Sequence, residues 1–106
     1  MLNIPNKGCI PGISNDVVVE IPAIASARGV QGFRMDPLPQ KILDNILYPR
    51  MRTLNNIHEA YRNGDRSMLV LELTFDHRTR SYEQAKNLID ELLKQSWNKD
   101  ADMHYR

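Results

Sequence analysis

Asp16-Val17-Val18-Val19-Glu20-Ile21-Pro22 is the stretch on which the fold turns. A β-branched run following the turn formers Gly12-Ile13-Ser14-Asn15-Asp16 favours extended backbone, so Val17 to Ile21 reads as a strand. Beyond it, Ser26-Ala27-Arg28-Gly29 reads as a reversal, and Val30 to Met35 as a return strand that pairs with Val17 to Ile21 in an antiparallel hairpin. Gly32, inside that return strand, marks a bulge or a close approach of backbone. Before it, Met1 to Ile4 forms a third strand that ends at Pro5-Asn6-Lys7-Gly8, a Pro-then-Gly pair suited to a tight reversal.

After Pro37-Leu38-Pro39 the character changes from strands and turns to helices, because these prolines stop a ladder and suit the first turn of a helix. Ile42, Ile46 and Leu47 follow at helical spacing, and Pro49 is expected to kink or end that helix, giving one helix near 40–48 and another near 50–62. Met51, Leu54, Ile57 and Tyr61 form the expected apolar stripe of the second, and Asn63-Gly64 its left-handed cap. Ser67 to Phe75 suits either a strand or a buried helix by periodicity alone. Ser81 and Gln84 form an S-x-x-Q capping box for a helix over about 81–95, with Ala85, Leu88, Ile89, Leu92 and Leu93 on its apolar face. The fold class is therefore α+β: one domain over 1–96, N-terminal antiparallel strands packed on C-terminal helices, and a polar tail over 97–106 that frays.

The totals narrow the function. A chain of 106 residues holds one small core and buries somewhat more than ~60% of the surface its unfolded form exposes, so contacts with partners weigh heavily. Fourteen Lys and Arg stand against thirteen Asp and Glu, which selects against nucleic acid as a partner. The arginines from Arg50 to Arg80 are interspersed with Asp44, Glu59, Asp65, Glu72 and Asp76, the pattern of a mixed, solvated surface. No segment approaches the ~20 apolar residues of a membrane span, and the start of the chain has no signal-peptide-like apolar stretch. A single cysteine, Cys9, excludes an internal disulfide framework and fits a soluble protein of the reducing cytoplasm.

Few residues carry chemistry. His58, His77 and His104 are dispersed, with no second ligand at metal-binding spacing, and Cys9 has only Lys7 as a basic neighbour. No pair of carboxylates at readable spacing suggests a two-carboxylate glycosidase, and Asp36, before Pro-Leu-Pro, reads as a turn acceptor. The turn Asn6-Lys7-Gly8 is the one place where exposed amides, an amide side chain and an ammonium come together, as binding of a polar or anionic ligand requires. There is no catalytic residue and no metal ligand to nominate.

The order of landmarks is more specific than any of them singly. Asn3-Ile4-Pro5-Asn6-Lys7-Gly8-Cys9-Ile10 is similar to an N-[IV]-x-N-x-G-x-I stretch, Asp16 to Pro22 to a D-x-V-V-E-V-P strand, and Asp36 to Pro39 to G-x-L-P before a helix. Glu59-Ala60 and Gly64-Asp65-Arg66 match a helix ending E-A followed by G-[DN]-R, and Ala85, Leu88, Glu91, Leu92 and Leu93 match A-x-x-L-x-x-E-L-L. In this order the chain resembles the C-terminal segment of glycoside hydrolase family 4 enzymes. The resemblance implies the C-terminal domain of a lactate/malate dehydrogenase-like fold, a helix over Ser67 to Phe75, and a full-length enzyme needing NAD and a divalent metal, commonly manganese. It further implies an N-terminal Rossmann domain that holds the NAD, catalytic and metal residues upstream of this segment, and a sugar substrate. Asn6 and Gly8 are the residues it carries over as facing the substrate cleft. The chain departs from the family at Asp76-His77, where D-P is frequent, and at Pro49, inside a long helix; Cys9 occupies a variable position, not that of the metal-ligand cysteine.

No glycine-rich loop of G-x-G-x-x-G type follows a strand here, so no cofactor is expected in this chain. The expected function is the substrate and oligomerisation domain of a glycosidase, inactive alone, partnered by copies of itself or by the Rossmann domain. The alternative is a stand-alone interaction module derived from that domain. An independent small enzyme using Asn6, Lys7 and Asp36 lacks a visible acid/base pair or activated nucleophile.

Overall fold

The computed structural model describes residues 1–106 as two compact units, Met1–Leu47 and Tyr48–Arg106. Antiparallel strand pairs come first and helices follow, the α+β class.

In the first unit β1 (Leu2–Pro5) pairs with β2 (Val18–Ile21), and β3 (Ala23–Ser26) with β4 (Gly29–Gly32). The partner expected for β2 is thus corrected. It aligns Leu2 with Ile21 and Pro5 with Val18, while the reversal at Ser26 to Gly29 is closed by Ala23–Ser26 instead. Chain connectivity explains the difference. Only Ala27 and Arg28 separate Ser26 from Gly29, so the residues nearest the turn pair first, and Pro22 has no N–H with which to continue a ladder from β2 into β3. Beyond Gly32 the chain stays extended without pairing as a strand, held by Phe33 N–H donating to the Pro22 carbonyl (2.9 Å) and Met35 N–H to that of Cys9 (2.7 Å). Gly32 is a close approach: a Cβ there would stand 2.8 Å from Ile21 Cδ1, 2.9 Å from Ile4 Cδ1 and 3.0 Å from Cys9 Sγ.

Helix α1 (Gln40–Ile42) starts directly after Pro39 and runs without interruption into a π-helical turn, Leu43–Leu47, and then α2 (Tyr48–Asn63). Of the two outcomes expected at Pro49, a kink or an end, the helix does not end. The proline ring cannot donate to a carbonyl one turn back and would collide with it in a regular α-helix, and the wider π turn immediately before it takes up the mismatch.

The second unit stacks α2 on α3 (Arg66–Thr74) and α3 on α4 (Tyr82–Leu93). Ser67 to Phe75 is helical, as the resemblance implied. Asp65 caps α3 by accepting from Met68 N–H (3.1 Å), and Ser81 caps α4 by accepting from Gln84 N–H (3.1 Å). Gln84 Oε1 reaches one residue further back than a capping box requires, to the N–H of Arg80 (2.8 Å). The core consists of Ala60, Val70, Ala85 and Leu93. The expected stripes are only partly covered: Leu54 and Tyr61 on α2 are 67% and 61% exposed, and Leu88 and Leu92 on α4 47% each. A stripe as wide as that of α4 outruns what one short neighbouring helix can cover.

Residues 97–106 are ordered rather than a fraying tail. A 3₁₀ turn (Ser96–Asn98) leads into α5 (Lys99–His104), and Arg66 holds this end through Nε to the Tyr105 carbonyl (3.2 Å) and Nη2 to Asp102. Gly64 closes α2 as expected, with φ +63°, Asp65 N–H donating to the Ala60 carbonyl (2.9 Å) and its own N–H to that of Tyr61 (3.3 Å). Its carbonyl also accepts from Arg106 N–H (2.8 Å), and a Cβ at Gly64 would stand 2.3 Å from the His104 carbonyl oxygen.

Gly64→Ala therefore combines left-handed backbone with a collision, and urea unfolding should show a loss of about 2 kcal/mol or more, with faster amide exchange at residues 104–106. Unchanged exchange there would contradict the docking of the C-terminal end. Burial also separates two leucines of one helix: Leu93→Ala should cost ~3 kcal/mol and Leu88→Ala about 1 kcal/mol. Equal costs would show that the α4 stripe is uniformly covered.

Candidate functional site

The loop from Asn6 to Asp16 begins where β1 ends. Asn6 N–H donates to the Val17 carbonyl (2.8 Å) and Lys7 N–H to that of Asn15 (3.0 Å), so the loop leaves and re-enters the sheet at adjacent points. Cys9 N–H donates to the Asn6 carbonyl (2.8 Å), closing a tight turn whose central residues, Lys7 and Gly8, both have positive φ (+45° and +83°). Such a turn favours glycine, and Gly8 supplies it; Lys7 accepts the less favourable conformation.

The structure separates the two residues expected to face substrate. Gly8 is exposed at the turn, whereas Asn6 has no exposed surface and its carboxamide is turned into the loop. Asn6 Nδ2 donates to the carbonyls of Ile10 (3.0 Å) and Ile13 (2.8 Å), and Oδ1 accepts from Ile10 N–H (2.7 Å). Both amide protons are used, leaving one oxygen lone pair inside the loop. Beneath the loop Ile13 is buried, and Asp16, at the end, accepts from the Ser14 hydroxyl, which lowers its pKa below the ordinary carboxylate value.

Beside the turn lies a cavity of about 330 Å³ lined by Ile4, Pro5, Lys7, Cys9, Val30, Gln31 and Gly32. An ammonium, a carboxamide and a thiol on mostly apolar walls can orient a polar or anionic group, and this lining contains no carboxylate or imidazole to move a proton. Of the other residues weighed for chemistry, Cys9 is here as a half-buried free thiol, whereas Asp36 is exposed in irregular chain and is not part of the lining. His58, His77 and His104 stand in the second unit, where His104 Nε2 meets the Tyr61 carbonyl and His77 is largely exposed. No three His, Cys, Asp or Glu side chains converge as a metal-ligand set, so these residues do not fit a manganese ion. The strands form antiparallel pairs, with no parallel strand–loop–helix unit of the kind that cradles a dinucleotide.

A second cavity, a groove of about 530 Å³ between α2 and the end of α3, went unnoticed in the sequence. It is walled by Leu54, Phe75, Arg50, Arg52, Glu72 and Asp76 among others. The signal was a carboxylate, Glu72, inside the apolar run Leu69 to Leu73, and in the structure Glu72 is only 9% exposed. Asp76 is engaged locally. Its carboxylate accepts from the Arg78 backbone N–H (2.9 Å), Nε (3.0 Å) and Nη2 (3.0 Å), and chiefly the side-chain bonds hold its pKa far below the usual range.

Asn6→Ala would remove three hydrogen bonds from the loop and leave two buried carbonyls and one N–H without that partner. A loss on the order of 3 kcal/mol, with amide shifts spread over residues 6–16, is the expected outcome by urea unfolding and NMR. A neutral substitution would mean that Asn6 does not organise the loop.

Comparison with known sequences shows the family, and comparison with solved structures the fold. The model described as the family 4 glycosyl hydrolase C-terminal domain matches residues 1–79. An alpha-glucosidase of Erwinia rhapontici is 28% identical over 98 residues, covering 91% of this chain and 21% of the relative. A crystal structure of a 6-phospho-alpha-glucosidase from gut microorganisms, in complex with NAD and glucose-6-phosphate, shares the fold: TM-score 0.71 at 24% identity, covering 97% of this chain and 22% of that one. The chain thus spans about a fifth of the length of these relatives. By the match over three quarters of its length, this chain belongs to the family 4 glycosyl hydrolases, of which it carries the C-terminal domain.

Proposed function

We propose that this chain is the C-terminal part of a glycosidase that hydrolyses O-glycosidic bonds of carbohydrates in the cytoplasm. The observation that carries the reading is the family match over residues 1–79, which includes the Lys7-Gly8 turn and its adjacent cavity. The crystal structure with the same fold is described with NAD and glucose-6-phosphate, which supports a dinucleotide in the complete enzyme and a sugar beside it. An N-terminal Rossmann domain would hold NAD and a divalent metal, manganese in this reading. Those groups would supply the redox and Lewis-acid chemistry.

The present residues have a binding role. Gly8 and Lys7 present backbone and an ammonium toward the sugar, and Asn6 holds their turn in shape from beneath without touching substrate. Partner chains enter the same reading. Leucine and aromatic side chains stand open on α2, α3 and α4, and apolar surface of this kind favours packing against further polypeptide, the Rossmann domain or a second copy. No helix is long and apolar enough to cross a membrane.

The isolated chain should be catalytically silent. Supplied with NAD, manganese and reductant, it should release no aglycone from a panel of chromogenic α- and β-glycosides. Turnover that follows the protein through purification would overturn the division of labour proposed here.

A further inference from the structure

Glu72 is the one buried side chain with a polar atom left unpaired. Its Oε1 accepts from Asn56 Nδ2, whereas Oε2 is shut off from solvent and has no hydrogen-bond partner. An uncompensated carboxylate oxygen in a helix–helix contact destabilises the fold, and replacement by an apolar side chain of similar size is often neutral or stabilising. Glu72 is also a wall of the 530 Å³ groove, large enough for a bulky side chain, and the last torsion of a glutamate turns easily. A donor entering the groove is what the carboxylate lacks.

The other walls narrow the class of donor. Leu54 and Phe75, 67% and 65% exposed, offer apolar contact. Arg50, Arg52 and Asp76 stand beside them, and a guanidinium lies readily over an aromatic face; that of Arg52 already sits 5.7 Å from the centre of the Phe75 ring. An aromatic ring carrying a neutral N–H or O–H meets all of these walls at once. The chain itself bears such a group: Trp97, its single tryptophan, is 76% exposed.

We propose that Trp97 of a second copy enters this groove, its ring against Leu54, Phe75 and the arginines, and its N–H directed at Glu72. Exchanged reciprocally, two such anchors close a two-fold dimer, and a desolvated tryptophan paired with an unsatisfied acceptor has the character of a binding hot spot. This deepens the self-association proposed above and rests on that reading.

The lone tryptophan makes the test direct. Sedimentation equilibrium and Trp97 emission are followed over one concentration series. A dimer should form as the emission moves to the blue, and added indole should reverse both changes. Trp97→Ala should raise the dimer dissociation constant at least tenfold. Glu72→Met should raise it severalfold while leaving the monomer as stable or more stable, and Glu72→Gln, which keeps an acceptor, should stay close to the native value. A dimer whose dissociation constant is the same in Trp97→Ala, or whose emission stays that of a solvated indole, leaves self-association standing and overturns this surface. A strict monomer at every concentration overturns both.

Discussion

The stack of α2, α3 and α4 rests on a core of few and mostly small side chains: Ala60 and Ala85, both without exposed surface, with Val70 and Leu93. Side chains this small fill little of the space between helices, and large apolar residues elsewhere on the same helices stay open to the outside. Leu54, Ile57 and Tyr61 on α2 and Leu88 and Leu92 on α4 share this fate. Gly64 is needed for a separate reason, because the C-terminal end of the chain crosses directly over it. A small core and open apolar faces are two consequences of one packing choice, and those faces are where the proposed partners would pack.

The first unit solves its own crowding in a related way. Gly32 lets Ile4, Ile21 and Cys9 converge on β4 with nothing between them. The loop that follows β1 is too short to have an apolar core of its own beyond Ile13, so Asn6 takes that place with hydrogen bonds. A carboxamide can answer two carbonyls and an N–H together, which an apolar side chain cannot. The result is a turn held from inside, with Lys7 and Gly8 free on its outer surface.

Local signals in the sequence were legible where the physics is local. The Ser81 cap, the Gly64 cap, the Lys7-Gly8 turn and the reversal at Ser26 to Gly29 depend on a few adjacent residues, and all are found. Strand pairing was misread because β2 could pair on either side and the deciding feature was Pro22, which starts a new strand just after it. Periodicity identified apolar stripes but not which of them is covered, since coverage depends on neighbours that a single helix does not reveal. Asn6 was singled out as facing a substrate, and the direction of its side chain, turned into the loop, was invisible. Glu72 was lost among solvated charges, although its apolar neighbours set it apart. The family was legible from the order of landmarks, and the match over residues 1–79 agrees with it.

The central claim is that this domain serves a cofactor-dependent glycosidase while holding no cofactor itself. Calorimetric titration of NAD into the purified chain tests it most directly. The account predicts no saturable heat with or without manganese, because the residues present form neither a glycine-rich phosphate cradle nor a metal-ligand set. A saturable isotherm with micromolar affinity would contradict it and place the dinucleotide site within these 106 residues.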